Sequence, residues 1–344
     1  MIDKNFCMSS YMAFRYIEDD NMDFFPNLRH NNIRPIAVEN RIPVKTADDI
    51  DHEISKQMEM FCNLKKGILL SGGMDSAIVA SYLRGADAYT FRFLGGEYQK
   101  EELSRAEYYA SCYDLNLHYV DINWETVEKY LEPLIRAKCA PVHSIEPQIL
   151  QAALQAKADG IELIFVGESS DLIFGGMDGL LAKDWSYEEF VDRYMFTKPE
   201  KVLKNPVDMR YLFERYRKGD KIDFLSFMDD VFSIESSSSY MNAFSVAGMP
   251  YYDPYAKLMM ADKLDLYRVR HGEPKYLIRQ LMAKKYPDIP VPNKVAMPRP
   301  VDAYFRNWEG PKRSEFRNDI EMSEYTGNQK WQMFCLEKFL DCFD

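Results

Sequence analysis

From Gly67 onward, short uncharged apolar runs alternate with longer stretches in which apolar residues recur every three or four positions. Gly67-Ile68-Leu69-Leu70 is too short and too uniformly apolar for an amphipathic helix and reads as a buried strand. Ser76–Leu83 follows as a helix, Ala88–Phe93 as a strand, Leu103–Cys112 as a helix and Leu117–Asp121 as a strand. Val127–Ala137 and Gln148–Ala158 then read as helices, and Leu163–Gly167 as a fourth strand that runs into a Gly/Ser-rich turn. Strands separated by helix-length segments need crossover connections, so the pattern predicts an α/β fold with a parallel sheet. Residues 1–60 are polar, rich in aromatics and broken by Pro26, Pro35 and Pro43, with a helical stretch from Asp48 to Phe61 leading into the sheet. They read as a lead-in segment. Past Trp185 the strand pattern fades, and charged amphipathic stretches such as Tyr187–Phe196 and Tyr211–Lys218 predict a mostly helical portion over residues 186–344, packed on a core of residues 61–185.

Composition narrows the function. The 344 residues, 47% of them hydrophobic, suffice for one large domain or two tightly packed ones. A net charge of -11 argues against a phosphate-neutralising surface, so nucleic acid is not expected as a partner and a small molecule is. The run Arg268, Arg270, Lys275 and Arg279 could form a local basic cluster, but a solvated helix face explains it about as well. Cys7, Cys62, Cys112, Cys139, Cys335 and Cys342 are far apart, without metal-knuckle or redox spacing, and read as reduced, mostly buried thiols. With no leader pattern and no apolar run near the about 20 residues of a membrane helix, no membrane is expected and the cytoplasm is.

The candidate chemistry begins where the first strand ends. Ser71-Gly72-Gly73-Met74-Asp75-Ser76 joins a strand to a helix, a place where unpaired N–H groups and the helix dipole face an anion. Two glycines let the backbone approach phosphate oxygens, and the Ser71 and Ser76 hydroxyls add donors. Asp75 would repel phosphate unless a cation lay between them, which points to Mg²⁺.

This hexapeptide resembles the SGGxDS signature of the PP-loop ATP pyrophosphatases, and no Walker-type Gly-Lys-Ser/Thr ending is present. The resemblance implies an adenine nucleotide alpha hydrolase-like (PP-loop) fold and cleavage of ATP between its α- and β-phosphates. At the end of the fourth strand, Val166-Gly167-Glu168-Ser169-Ser170-Asp171-Leu172-Ile173-Phe174-Gly175-Gly176 is similar to the GEGxDExFGG segment of the asparagine synthetase synthase domain. Met249-Pro250-Tyr251-Tyr252-Asp253 and Lys275-Tyr276-Leu277-Ile278-Arg279 are similar to two later segments of that family, and Pro292–Pro298 resembles its lysine loop. By this resemblance Asp75 and Asp171 bind Mg²⁺, Glu168 handles the nucleophile's proton and Lys294 stabilises charge on phosphate and acyl oxygens. Leu70, Ser71, Gly72, Gly73, Asp75, Ser76, Phe91 and Gly167 are the expected ATP contacts, with adenosine against Thr90-Phe91-Arg92. The implied activity is adenylation of a carboxylic acid and acyl transfer to ammonia or an amine.

The sequence also departs from that pattern. Ile2 follows Met1, Cys7 is not terminal, and about 60 residues cannot hold an amidohydrolase domain. Ammonia is therefore expected free or from a partner, either a separate glutaminase or an amine carrier. Leu172 stands where asparagine synthetases have glutamate, and Val246 fills an acidic position; an apolar residue after Asp171 resembles the β-lactam synthetases. A degenerate ATP-binding module acting with a partner, and a PP-loop enzyme modifying nucleotides or tRNA, are the competing readings. The acid and a homodimer stay open.

Overall fold

The computed structural model describes residues 1–344 except 31, 33, 95–99 and 294–298. Its strands are β1 (Ile42–Val44), β2 (Lys66–Leu69), β3 (Asp87–Phe93), β4 (Asn116–Ile122), β5 (Leu163–Phe165), β6 (Arg217–Lys218), β7 (Lys221–Ile222), β8 (Tyr251–Tyr252) and β9 (Leu258–Met260). The first seven α-helices are α1 (Lys4–Phe14), α2 (Ala47–Glu59), α3 (Met74–Ala80), α4 (Lys100–Cys112), α5 (Trp124–Lys138), α6 (Glu146–Ala158) and α7 (Ser170–Ile173). Five strands form one parallel sheet in the order β4-β3-β2-β5-β8, with Leu69 opposite Tyr89 and Ile68 opposite Phe165.

Strand alternation divides the core between two faces. Ile68, Leu70, Ala88 and Phe165 join one apolar cluster with α2, α3, α4 and the helix Tyr276–Lys285. Leu69, Tyr89, Val120 and Ile164 join the other with α1, α5, α6 and the helices Ser233–Ala247 and Gly327–Phe343. Successive side chains of β2 thus point into different helical layers, which is why Ile68-Leu69-Leu70 is apolar without interruption. The direction of winding changes between β2 and β5, so the loops after these strands open onto a shared crevice, the usual ligand position in such sheets.

The four expected strands are present, with ends shifted by a few residues. Three expectations need correcting. Residues 4–14, read as irregular, form α1, in which Met12 and Ala13 are 0% exposed against the C-terminal helix. The isolated motif hid a helix because it is apolar on nearly every side and lacks amphipathic periodicity. The mostly helical portion also supplies the edge strand β8, whose two residues are too few for a periodic signal. Tyr211–Lys218 is a single helical turn, Tyr211–Glu214, followed by the hairpin β6–β7 around Gly219 at φ 67°. The cysteines are unpaired, but Cys7 and Cys335 alone among them are buried and Cys62 is exposed. No helix among the described residues is long and apolar enough to cross a membrane.

Candidate active site

The turn after β2 folds around its own hydroxyls. Ser76 Oγ accepts from the Ser71 backbone N–H (3.0 Å) and lies 2.9 Å from Ser71 Oγ, which in turn accepts from the Gly73 N–H (3.1 Å). The serines expected as phosphate donors therefore first shape the loop. Helix α4 presses on it from outside: a Cβ on Gly72 would lie 2.5 Å from the Glu102 carbonyl oxygen, and Arg105 Nε donates to Gly72 O (2.8 Å). Glu102 is also bonded from the Gly72 amide, while its Oε2 is buried without a hydrogen-bond partner. Burial raises its carboxyl above the ordinary glutamate value, offset in part by the Gly72 bond and Arg105.

The second motif approaches the first at backbone distance. A Cβ on Gly167 would lie 2.9 Å from the Asp75 carbonyl carbon, so only glycine allows β5 to deliver Glu168 and Asp171 beside α3. Gly175, at φ 79°, turns the chain back, and the Gly176 N–H donates to Asp171 O (2.7 Å). Behind them, Asp253 accepts from the Ser169 N–H (2.8 Å) and the Tyr255 N–H (3.0 Å), which pins β8 to the motif. Burial raises the Asp253 carboxyl to about 6.

Asp75 and Asp171 meet on one cation. Lys275 Nζ lies 2.5 Å from both Asp75 oxygens and 2.7 Å from Asp171 Oδ1. The lysine is 2% exposed and sits at φ 56°, a left-handed conformation for a non-glycine residue. Burial opposes its charge, but the two carboxylates prevail and its pKa is raised above lysine's ordinary value. Reading Lys275 as part of a solvated basic face is thus corrected: Arg268 pairs with Glu273 and Arg270 with Asp184, whereas Lys275 points inward. Its place at the start of the KxxLR-like segment was the available signal.

One cleft, about 160 Å³, is lined by Leu70, Ser71, Gly72, Gly73, Asp75, Ser76, Phe91, Gly167, Glu168 and Asp171, joined by Arg105, Tyr240 and Lys275. Thr90 and Phe91 line it as well, while Arg92 turns to Asp121 on β4, with Nε and Nη2 at 2.6 and 2.9 Å. Lys294 lies outside the described residues. Glu168 also borders two further cavities, one of about 540 Å³ and one of about 290 Å³. The Tyr240 hydroxyl donates to it, and burial followed by that negative charge raises the phenol well above its usual value. Leu172 lines the 290 Å³ cavity, whereas Val246 is partly buried against the apolar core.

The residues fit a divalent cation in one respect: two carboxylates from separate strand ends already share a single positive atom, leaving further positions for phosphate oxygens and water. Among the described residues there is no group of three acidic, His or Cys side chains able to hold a metal alone.

Solved structures with similar chain traces include NMN synthetase from Francisella tularensis (10% identity, 74% of this chain and 100% of that one, TM-score 0.29). NAD+ synthetase from Burkholderia pseudomallei is another (11%, 72% and 90%, TM-score 0.27), as is the U34-tRNA thiolase NcsA from Methanococcus maripaludis (13%, 73% and 83%, TM-score 0.29). With values this low, the fold assignment rests on the sheet order and the sequence family. No curated protein matched the chain. The asparagine synthase family model matches residues 48–240, which span the phosphate loop, the Glu168–Gly176 motif and Tyr240. The chain therefore belongs to the asparagine synthase family.

Proposed function

We propose that this protein is an ATP-dependent ligase that adenylates a carboxylic acid, releasing pyrophosphate, and passes the acyl group to ammonia or an amine. The convergence of Asp75 and Asp171 on one cation, beside the phosphate loop and at the winding reversal of the sheet, carries this reading. Mg²⁺ held by Asp75 and Asp171 would neutralise the leaving pyrophosphate. Lys275, freed from part of its double ion pair, would turn its charge toward the phosphates, and Arg105 would supply a second cation on the loop's outer side. The adenine ring would lie along Leu70 and Phe91.

In the first step an oxygen of the acid attacks the α-phosphorus and pyrophosphate leaves. In the second the amine nitrogen attacks the acyl carbon, AMP leaves, and Glu168 takes the nitrogen's proton. Its position at the meeting point of three cavities supports that role, since nucleotide, acid and amine need separate approaches to one carboxylate. Lys294 is proposed to bear on the same charge from the late loop. The amine donor is proposed to arrive as free ammonia or from a partner protein.

The test is pyrophosphate release from ATP and Mg²⁺ with a panel of carboxylic acids, with and without ammonium. Wild type should release pyrophosphate in an acid-dependent way, and Asp75→Ala should lose at least about a hundredfold in rate, as expected when a metal-binding carboxylate is removed. ATP binding without turnover on any acid would favour a nucleotide-holding module, and a requirement for tRNA would favour a modifying enzyme.

A further inference from the structure

Glu168 and Tyr240 line the nucleotide cleft and also line the 290 Å³ cavity, so a guest in that cavity reaches the carboxylate that borders the nucleotide. The apolar wall of this cavity is assembled from three parts of the chain. Leu172 and Ile173 come from α7, Met241 from the helix Ser233–Ala247, and Pro35 and Ile36 from the stretch ahead of the family-matched segment. That stretch is fastened in place: Arg41 Nε donates to Ile36 O (2.8 Å), and Arg34 Nη2 lies 2.6 Å from Asp20 Oδ2.

Polar groups of the same wall are engaged with the protein itself. Asp253 accepts from two backbone N–H groups, the Tyr252 hydroxyl donates to Gln57 Oε1 (2.9 Å), and the Lys257 ammonium lies over the Tyr252 ring, 5.3 Å from its centroid. What the cavity chiefly offers a guest is therefore apolar surface, with Glu168 at its border. A water molecule takes up about 30 Å³ in the liquid and ammonia is of similar size, so 290 Å³ is about ten times what ammonia needs. Water filling the remainder would face hydrocarbon, whereas a short alkyl chain would release it. The 540 Å³ cavity has Arg15, Arg193 and Arg299 on its wall, which suits it to the acid and leaves the apolar cavity for the nucleophile. Leu172 points the same way. The asparagine synthetase pattern has glutamate there, which would put a charge on this wall, and leucine keeps it hydrocarbon.

We infer that the 290 Å³ cavity seats the body of the acceptor, and that this acceptor is a primary amine bearing an apolar chain of about four to six carbons rather than ammonia. The inference rests on the ligase reading and narrows its nucleophile. The nitrogen bonds to the acyl carbon, the bond from that carbon to the AMP oxygen breaks with its electron pair leaving on AMP, and Glu168 takes the proton that the nitrogen sheds. Each methylene buried on the wall accounts for about a fourfold gain in affinity.

Ligand-observed NMR titrations measure the affinities of methylamine, n-butylamine, n-hexylamine and 2-methoxyethylamine for the protein holding a non-hydrolysable ATP analogue. Turnover is read as pyrophosphate release with the acid panel, and as the ratio of butylamide to primary amide when butylamine and ammonia compete at equal free-base concentration. Butylamine should bind at least about tenfold tighter than methylamine, and 2-methoxyethylamine should fall back towards methylamine. Butylamide should exceed the primary amide by about tenfold or more. Leu172→Glu should level the series. Leu172→Ala keeps the wall apolar and deepens it, so it should move the preference towards hexylamine even where the charged variant does not fold. Equal affinities across the series overturn the inference, as does an excess of primary amide or a gradient that both substitutions leave unchanged. A gradient without pyrophosphate release on any acid would retain the apolar amine seat and sink the ligase reading; pyrophosphate release with a flat series would do the reverse.

Discussion

At the scale of single residues, Lys275 makes the sharpest demand. Its ammonium is the shared counter-charge of Asp75 and Asp171, whose side chains are 21% and 33% exposed. Lys275→Met should lower stability by about 2 kcal/mol, less than a fully buried broken pair because water reaches both carboxylates. Added Mg²⁺ should then raise the variant's melting temperature more than that of wild type, since it need not displace the lysine. A variant indifferent to Mg²⁺ would show that the two carboxylates do not form a cation site. Asp253 makes a different demand. Its folded-state pKa of about 6 exceeds the ordinary 3.8, so the folded protein keeps this proton where the unfolded chain has lost it. The resulting stability is complete below 3.8 and disappears as pH rises through 6. Melting curves from pH 4 to 7 should therefore be flatter for Asp253→Asn; equal slopes in both proteins would assign the titration to another group. Lys294→Ala, if that loop serves the reaction, should lower kcat far more than it raises the KM for ATP.

Among elements, α4 and the phosphate loop are built as a pair. Gly72→Ala puts a methyl group against the α4 backbone, whereas Gly73→Ala meets only the Ser71 Oγ at 3.2 Å. The first should destabilise by about 1–3 kcal/mol and weaken binding of a non-hydrolysable ATP analogue; the second should do much less. Equal effects, measured by thermal melts and calorimetry, would remove α4 from the account of the loop. The loop itself was legible in the sequence because its determinants are local: a strand, two glycines and two serines within six residues. The pairing with Asp171 was legible through a second local motif. Lys275 was not, since its partner Asp75 is 200 residues away and a lysine among arginines looks solvated until the fold turns it inward. The same holds for Arg105, whose position in a charged helix start conceals its contact with Gly72. Leu172 illustrates the reverse: its departure from the family pattern was plain, but only the fold shows that it lines the 290 Å³ cavity beyond Glu168.

For the molecule as a whole, the expected boundaries near residues 60 and 185 cut through shared cores. Helix α1 buries Phe6, Cys7, Met8, Tyr11, Met12 and Phe14, and Gln332 of the C-terminal helix donates to Met12 O (2.9 Å). Losing even two such side chains costs about 4 kcal/mol or more, a large part of the stability of an ordinary domain. A chain lacking residues 1–17 should therefore fail to give a cooperative melt, and retention of one would make α1 an accessory. That buried helix was illegible because a uniformly apolar segment with scattered serines carries no period, while the sheet beside it, with its strict alternation of elements, was read nearly in full. The ion pair at the centre has a further meaning at this scale. On the proposed reading Lys275 is a placeholder: the protein folds with a positive charge already stationed between the two carboxylates proposed to hold the nucleotide's cation. Arrival of such a cation would be an exchange between occupants of a finished seat, so the chain would not have to assemble two repelling carboxylates at the moment of binding.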